Sequence, residues 1–244
     1  MSAVSATWRP PRGALAELVG FARADLERRR RERPRLVAEV KQSSQSAGAI
    51  RSVDVPEQAR AYVRGGARCV SVLTEGRRFG GSLDDLRRVR GQVDVPLLRK
   101  DFIVDPYMLA EAADAGADAV LLIAGALPPE ELRELHAAAS GLGLDVLVEV
   151  VHPFEVEALA TLEAPLVGVN ARDLETLEVD AGRFARIAPS LERPGRLRVA
   201  ESGIHGPEDV RRLTRAGAGA CLVGEALMRA RDPEAAVRAL VEAG

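Results

Sequence analysis

The chain of 244 residues is poor in the side chains that most often announce a function. Cysteine occurs twice, at Cys69 and Cys221, each inside an apolar run. That excludes a disulfide framework and a thiolate metal site, and it points to buried free thiols in a reducing cytosol. Histidine occurs at His136, His152 and His205, with no pair at metal-ligand spacing, so no metal is expected. Aromatic residues make up 3% of the chain, too few for a platform that stacks nucleic-acid bases. A formal net charge of −2 gives no global attraction for nucleic acid either. No stretch approaches the roughly eighteen apolar residues of a membrane span. The opening MSAVSATWRPPRG carries no apolar core after its charges, so no secretion signal is expected and the location read from the sequence is cytoplasmic. One basic run stands out, RRRRERPR at 28–35. It reads as the solvated end of an N-terminal helix stopped by Pro34, in preference to a phosphate or nucleic-acid patch.

What is present is a repeat. Eight short apolar runs alternate with longer amphipathic stretches: LVAEV (36–40), CVSVL (69–73), VPLLR (95–99), DAVLLI (118–123), LDVLVEV (144–150), PLVGVN (165–170), LRVAES (197–202) and ACLVG (220–224). Most are too continuously apolar for a sheet with one wet face, so they read as buried parallel strands. Gly66, Gly116 and Gly217 each stand between helix-like and strand-like text, where a left-handed residue closes a helix. Helix starts are marked by Pro56-Glu57 before 57–64, Pro129-Glu130 before 130–140, and Pro207-Glu208 before 207–216. Eight β/α units point to an α/β fold, a (β/α)8 TIM barrel forming a single domain over 1–244. Residues 1–35 form an N-terminal helical extension, with a helix over about 13–31. A doubly wound open sheet is the runner-up, but residues 42–50 lack the glycine-rich turn it needs after its first strand.

In such a barrel the C-terminal strand ends form the active site. Strand 1 ends in Glu39 and Lys41, strand 3 in Lys100, and strand 5 in Glu149. Strand 6 ends in Asn170 with Arg172 beyond, and strand 7 in Glu201 and Ser202. Charge at one strand end is an edge effect; charge at the same end of five strands is a site. Glu39 and Lys41 stand two residues apart, so they share the inward face with Val37, about 6.5 Å from each other along the strand. At that separation and an effective dielectric near 20 their attraction is on the order of 2–3 kcal/mol before desolvation. ESGI (201–204) after strand 7 and LVGEALM (222–228) after strand 8 place backbone N–H groups of Gly203, Gly224 and Glu225 where they can converge on a phosphate. Ser44 or Ser46 of the first loop could cap the same anion.

These motifs together resemble a family. EVK, SVLTE with FGGS (71–75 and 79–82), LLRKDFIVDPYM, LVEV, N-x-RDLETLEVD and VAESGI are similar to indole-3-glycerol phosphate synthase, in order from about residue 36 to 230. The resemblance implies a (β/α)8 lyase of tryptophan biosynthesis. It closes a pyrrole ring on 1-(2-carboxyphenylamino)-1-deoxyribulose 5-phosphate with loss of carbon dioxide and water, and it uses no organic cofactor or metal. It implies Lys100 as general acid, Glu149 as a base, Lys41 as an assistant, and Glu39, Asn170 and Glu201 as groups that orient the reacting centre. Arg172 is implied for the anthranilate carboxylate. Ser44, Gly203, Gly224 and Glu225 are implied for the phosphate end, Ser202 for substrate binding, and Phe79 and Phe102 for the flanks of the aromatic ring. Lysine can act as an acid here if burial and nearby cations lower its pKa. The first loop departs from the family pattern at Gln45 and Ala47, and Ala171 replaces a small polar residue. The altered loop supports a second reading, a catalytically silent paralogue that binds a phosphorylated ligand or a partner protein. A third, phosphoribosylanthranilate isomerase, looks for a cysteine and an aspartate where Lys41 and Asn170 stand.

Overall fold

A computed structural model describes residues 35–41, 43–44, 48–49, 53–160 and 162–244. The basic run before Arg35, the helix expected over 13–31 and the substitutions at Gln45 and Ala47 lie outside the described residues. Eight parallel strands close into a barrel in chain order: β1 Arg35–Val40, β2 Cys69–Leu73, β3 Leu97–Lys100, β4 Ala119–Ile123, β5 Asp145–Val150, β6 Leu166–Asn170, β7 Leu197–Glu201 and β8 Ala220–Val223. Each coincides with one of the apolar runs to within about two residues at either end. β1 pairs with both β2 and β8, which closes the ring and leaves no barrel edge.

Helices α1 Val55–Arg64, α2 Gly76–Phe79, α3 Leu83–Arg90, α4 Pro106–Asp114, α5 Pro129–Gly141, α6 Arg183–Ile187, α7 Pro207–Arg215, α8 Glu225–Arg229 and α9 Pro233–Ala243 occupy the connections. Gly66, Gly116 and Gly217 have φ of 103°, 84° and 93°, the left-handed helix ends expected of them. The pattern at Gly217 is complete: its N–H donates to Thr214 O and the next N–H, of Ala218, donates to Leu213 O. After β5 the connection is a 3-10 segment, Pro153–Leu159, instead of an α-helix. Its Glu155 side chain turns back to accept from the N–H groups of Val151 and His152, and this fastens the segment to the end of the strand.

Strand alternation divides the apolar residues into two cores. Outward residues such as Ala38, Val70, Leu97, Val120, Val148 and Val167 pack against the helices. Inward residues Leu98, Leu121, Leu147, Val199 and Leu222, joined by Val37 and Cys69, fill the barrel. Cys69 and Cys221 therefore lie on opposite faces of the wall, and burial pushes each thiol up to about 12. Above the inner core the inward positions turn polar. The same alternation that turns Val37, Leu98 and Leu147 into the barrel places Glu39, Lys100 and Glu149 at the mouth. Among the described residues, no helix is long and apolar enough to cross a membrane.

Candidate active site

One pocket at the C-terminal mouth is lined by Glu39, Lys41, Phe79, Lys100, Phe102, Glu149, Asn170, Arg172, Glu201, Ser202, Gly203, Gly224 and Glu225. Every site residue read from the sequence is thereby brought together, apart from Ser44 and from Ser46, which lies outside the described residues. Ser44 lies in a two-residue antiparallel ladder with Gly48, and its side chain is outside the described residues. The pocket also takes Leu174, Val179 and His205 from the loops after β6 and β7. Sequence reasoning missed these because loop residues carry no strand alternation to declare which way they face.

The centre is a cluster of charges. Lys100 Nζ lies 3.0 Å from Glu149 Oε2 and 3.2 Å from Glu201 Oε2. Lys41 Nζ lies 2.8 Å from Glu39 Oε1, so the pair expected from strand spacing closes to a full contact. Asn170 Nδ2 donates to Glu149 Oε1 at 2.9 Å, while Asn170 Oδ1 accepts from Arg172 N at 3.0 Å. Asn170 thus fixes one lobe of the Glu149 carboxylate and leaves the other to Lys100. The expectation that cations beside Lys100 depress its pKa is corrected by this arrangement. Burial alone would lower it, but Glu149, Glu201 and Glu39 outweigh burial and raise it above the ordinary lysine value. Lys100 therefore stands as an ammonium across the neutral range.

The two glutamates beside it differ. Burial opposes ionisation of Glu149, but Lys100 and the Asn170 donor overcome that, and its pKa is lowered. Among the described residues Glu201 has no such amide donor; burial first, and then the Glu149 charge, push it up to about 8 against the pull of Lys100. The pair therefore divides into an ionised Glu149 and a protonated Glu201 at neutral pH. A carboxyl whose folded pKa lies above its ordinary 4.5 stabilises the fold fully below that value, and loses the contribution as pH rises towards 8. Glu201→Gln, which mimics the protonated form, is expected to match the unaltered chain in Tm near pH 5. It should exceed it by a few degrees near pH 9. Thermal unfolding at the two pH values reads this directly, and a constant difference would contradict a protonated Glu201.

The rim is built to aim aromatic and backbone groups. Glu75 caps α2, accepting from the N–H groups of Arg77, Arg78 and Phe79, and Gly80 ends the turn at φ 68°. That holds Phe79 against Phe102 from the loop after β3, with ring centroids 6.4 Å apart. Across the mouth, Ser202 and Gly203 both take φ near 65°, at 64° and 66°, and Gly224 opens α8. Arg172 spans the gap below. Its Nη1 donates to Leu177 O at 3.0 Å and its Nη2 stands 3.8 Å from Glu225 Oε2. The pocket therefore offers a flat apolar flank at one side, glycine-rich backbone at the other, and acid and base between them.

A parallel eight-stranded barrel with acid–base groups at its C-terminal mouth and glycine turns after β7 and β8 belongs to the (β/α)8 enzymes that act on phosphorylated small molecules. The sequence pattern of indole-3-glycerol phosphate synthase matches residues 14–240, and the chain belongs to that family. An indole-3-glycerol phosphate synthase of Nocardioides sp. is 56% identical over 204 residues, 83% of this chain and 78% of that one. Those of Mycobacteroides abscessus and Kineococcus radiotolerans are 50% and 52% identical, each covering 86% of this chain and 77% of the relative. Among solved structures, thiamine phosphate pyrophosphorylase from Pyrococcus furiosus aligns with a TM-score of 0.63 over 87% of this chain and 96% of that one. At 18% identity that likeness concerns the fold alone.

Proposed function

We propose that this chain closes the pyrrole ring of 1-(2-carboxyphenylamino)-1-deoxyribulose 5-phosphate to give indole-3-glycerol phosphate, releasing carbon dioxide and water, in tryptophan biosynthesis. The observation that carries the proposal is the placement of the Lys100 ammonium between Glu149 and Glu201 at 3.0 and 3.2 Å, in a pocket flanked by Phe79 and Phe102 on one side and the Ser202–Gly203 and Gly224–Glu225 turns on the other. Lys100 gives its proton to the ketone oxygen as the ring carbon bearing the carboxylate attacks the ketone carbon. The carboxylate then leaves as carbon dioxide, and its bonding pair restores the aromatic ring. The new hydroxyl departs as water on receiving a proton. Glu149, ionised and oriented by Asn170, removes the ring proton that this last step releases. Lys41 assists one of the proton steps, with Glu39 holding it in place. Glu201 orients the centre through Lys100.

Positioning carries much of the rate in this account. The substrate is one flexible molecule whose two carbons must meet, and clamping both its ends supplies the encounter. Arg172 takes the carboxylate end. Backbone N–H groups of Gly203, Gly224 and Glu225, with Ser202 and Ser44, take the phosphate. Incubating the purified chain with the carboxyphenylamino substrate, and following indole fluorescence together with carbon dioxide release, tests the reading. Binding without product would favour the silent paralogue.

A substitution separates the two ends of the clamp. Gly203 stands at φ 66°, and a Cβ there would come within 2.7 Å of Val179 Cγ1. Gly203→Val must therefore shift the turn and the Val179 strap together. The expected result is a rise in KM of about tenfold or more with a much smaller change in kcat, since the acid Lys100 and the base Glu149 are on other strands. An unchanged KM would place the phosphate elsewhere.

A further inference from the structure

Gly168 lies in the middle of β6, facing inward, in register with Glu149 of β5. Two residues further along the same strand and face, Asn170 is in register with Glu201 of β7. Inward residues of other strands, such as Leu147, Leu121 and Leu222, carry full side chains. A glycine here is not required by the backbone, whose φ lies outside the left-handed region. Glycine in a strand interior weakens the strand, and it commonly marks a place where another group comes close. The group is identifiable. A Cβ on residue 168 would fall 1.9 Å from Glu201 Oε1 and 3.1 Å from its Cδ, while its next neighbour, Leu147 Cδ1, is at an ordinary 3.5 Å. The Glu201 carboxylate thus fills the volume that any side chain at 168 would occupy. It leans from β7 over bare β6 backbone towards Glu149, and it meets Lys100 of β3 at 3.2 Å. It is fully enclosed there, at 2% exposure.

We propose that Gly168 is a positioning residue for the reaction: the side chain it lacks is the seat of the Glu201 carboxylate, and through that seat it sets the geometry of Glu201, Lys100 and Glu149. This rests on the functional reading above, in which that cluster performs the chemistry. Gly224 makes a similar allowance for the other pair, since a Cβ there would lie 2.4 Å from Glu39 Oε1 and 3.0 Å from Lys41 Nζ. Gly224 also opens α8 and forms part of the phosphate turn, so its substitution would report several effects at once. Gly168 touches neither turn, which makes it the clean position. A methyl group at 168 displaces Glu201 from Lys100 by about the size of the overlap, and misplacement on the order of 1 Å is enough to cost about 10²-fold in rate.

The test is a cycle of four proteins: the unaltered chain, Gly168→Ala, Glu201→Asp and the double variant. Aspartate keeps the carboxylate but withdraws it by one methylene, which vacates the space. Gly168→Ala alone is expected to lower kcat by about 10²-fold with KM within about threefold. In the Glu201→Asp background the same alanine is expected to cost less than about fivefold, because the two substitutions share one volume and cannot be additive. Equal losses in both backgrounds, or a kcat that survives Gly168→Ala, would overturn the proposal. If Gly168→Ala does not fold, thermal unfolding decides. Recovery of a cooperative transition in the double variant supports the seat, and failure in both backgrounds refutes it. Absence of ring closure by the unaltered chain would strike the functional reading alone, and the four unfolding temperatures would still test whether alanine at 168 and the full glutamate compete for the same space.

Discussion

Replacing Lys100 with alanine is expected to lower kcat by about 10²-fold or more while leaving substrate affinity within roughly tenfold, because a general acid acts in the transition state and contributes little to ground-state binding. The structure adds a second consequence. Lys100 is the cation common to Glu149 and Glu201, at 3.0 and 3.2 Å. Without it, Glu149 loses the charge that most lowers its pKa and keeps only the weaker help of the Asn170 amide and the protonated Glu201 beside it, so burial drives it towards its protonated form. The alanine variant should therefore lose the base along with the acid, and raising the pH by a unit or two should restore part of its activity. Lys100→Arg separates charge from proton donation. A guanidinium keeps Glu149 ionised but does not release a proton. The expected order of kcat is the unaltered chain, then arginine, then alanine, measured by indole fluorescence under saturating substrate. An unchanged kcat in either variant would remove Lys100 from the chemistry.

The barrel was legible because its strands are covered on both faces. Strands such as CVSVL and DAVLLI must be apolar at consecutive positions, so they stand out against amphipathic helices and glycine helix ends. The residues that line the pocket were legible for the complementary reason. Glu39, Lys100, Glu149, Asn170 and Glu201 break apolar runs at one end only, on the inward parity. What could not be read was which charge meets which. Lys100, Glu149 and Glu201 come from β3, β5 and β7, and nothing in their spacing along the chain says that carboxylates instead of cations surround the lysine. That pairing is set by the diameter of the barrel and by an absent side chain at Gly168. The 3-10 segment after β5 was likewise hidden, since Glu155 reaches back to backbone N–H groups of Val151 and His152 that no periodicity marks.

Arg99 shows the limit of reading charge as function, and removing it should have the largest effect on stability. It stands beside Lys100 in the same LLRK strand, but alternation turns it outward, where it is 3% exposed. Its Nε donates to Thr74 Oγ1 at 3.2 Å, its Nη2 to Asp101 Oδ2 at 3.1 Å and its Nη1 to Met108 O at 2.5 Å. Thr74 also donates to Asp101, and the other Asp101 oxygen accepts from Phe102 N at 2.9 Å. One guanidinium thus ties the end of β2, the loop after β3 and helix α4 into a single knot, beside Lys100 and Phe102 in the chain. Arg99→Leu leaves the buried Asp101 carboxylate without its counter-charge, and such one-sided removal costs about 3–5 kcal/mol. For a chain of this size that corresponds to a fall in Tm on the order of 10 °C. Adding Asp101→Asn removes the stranded charge, so the double variant should regain part of the loss. Thermal unfolding of the three proteins checks both statements. If Arg99→Leu alone proved neutral, the knot would be a consequence of the fold's packing and not one of its supports.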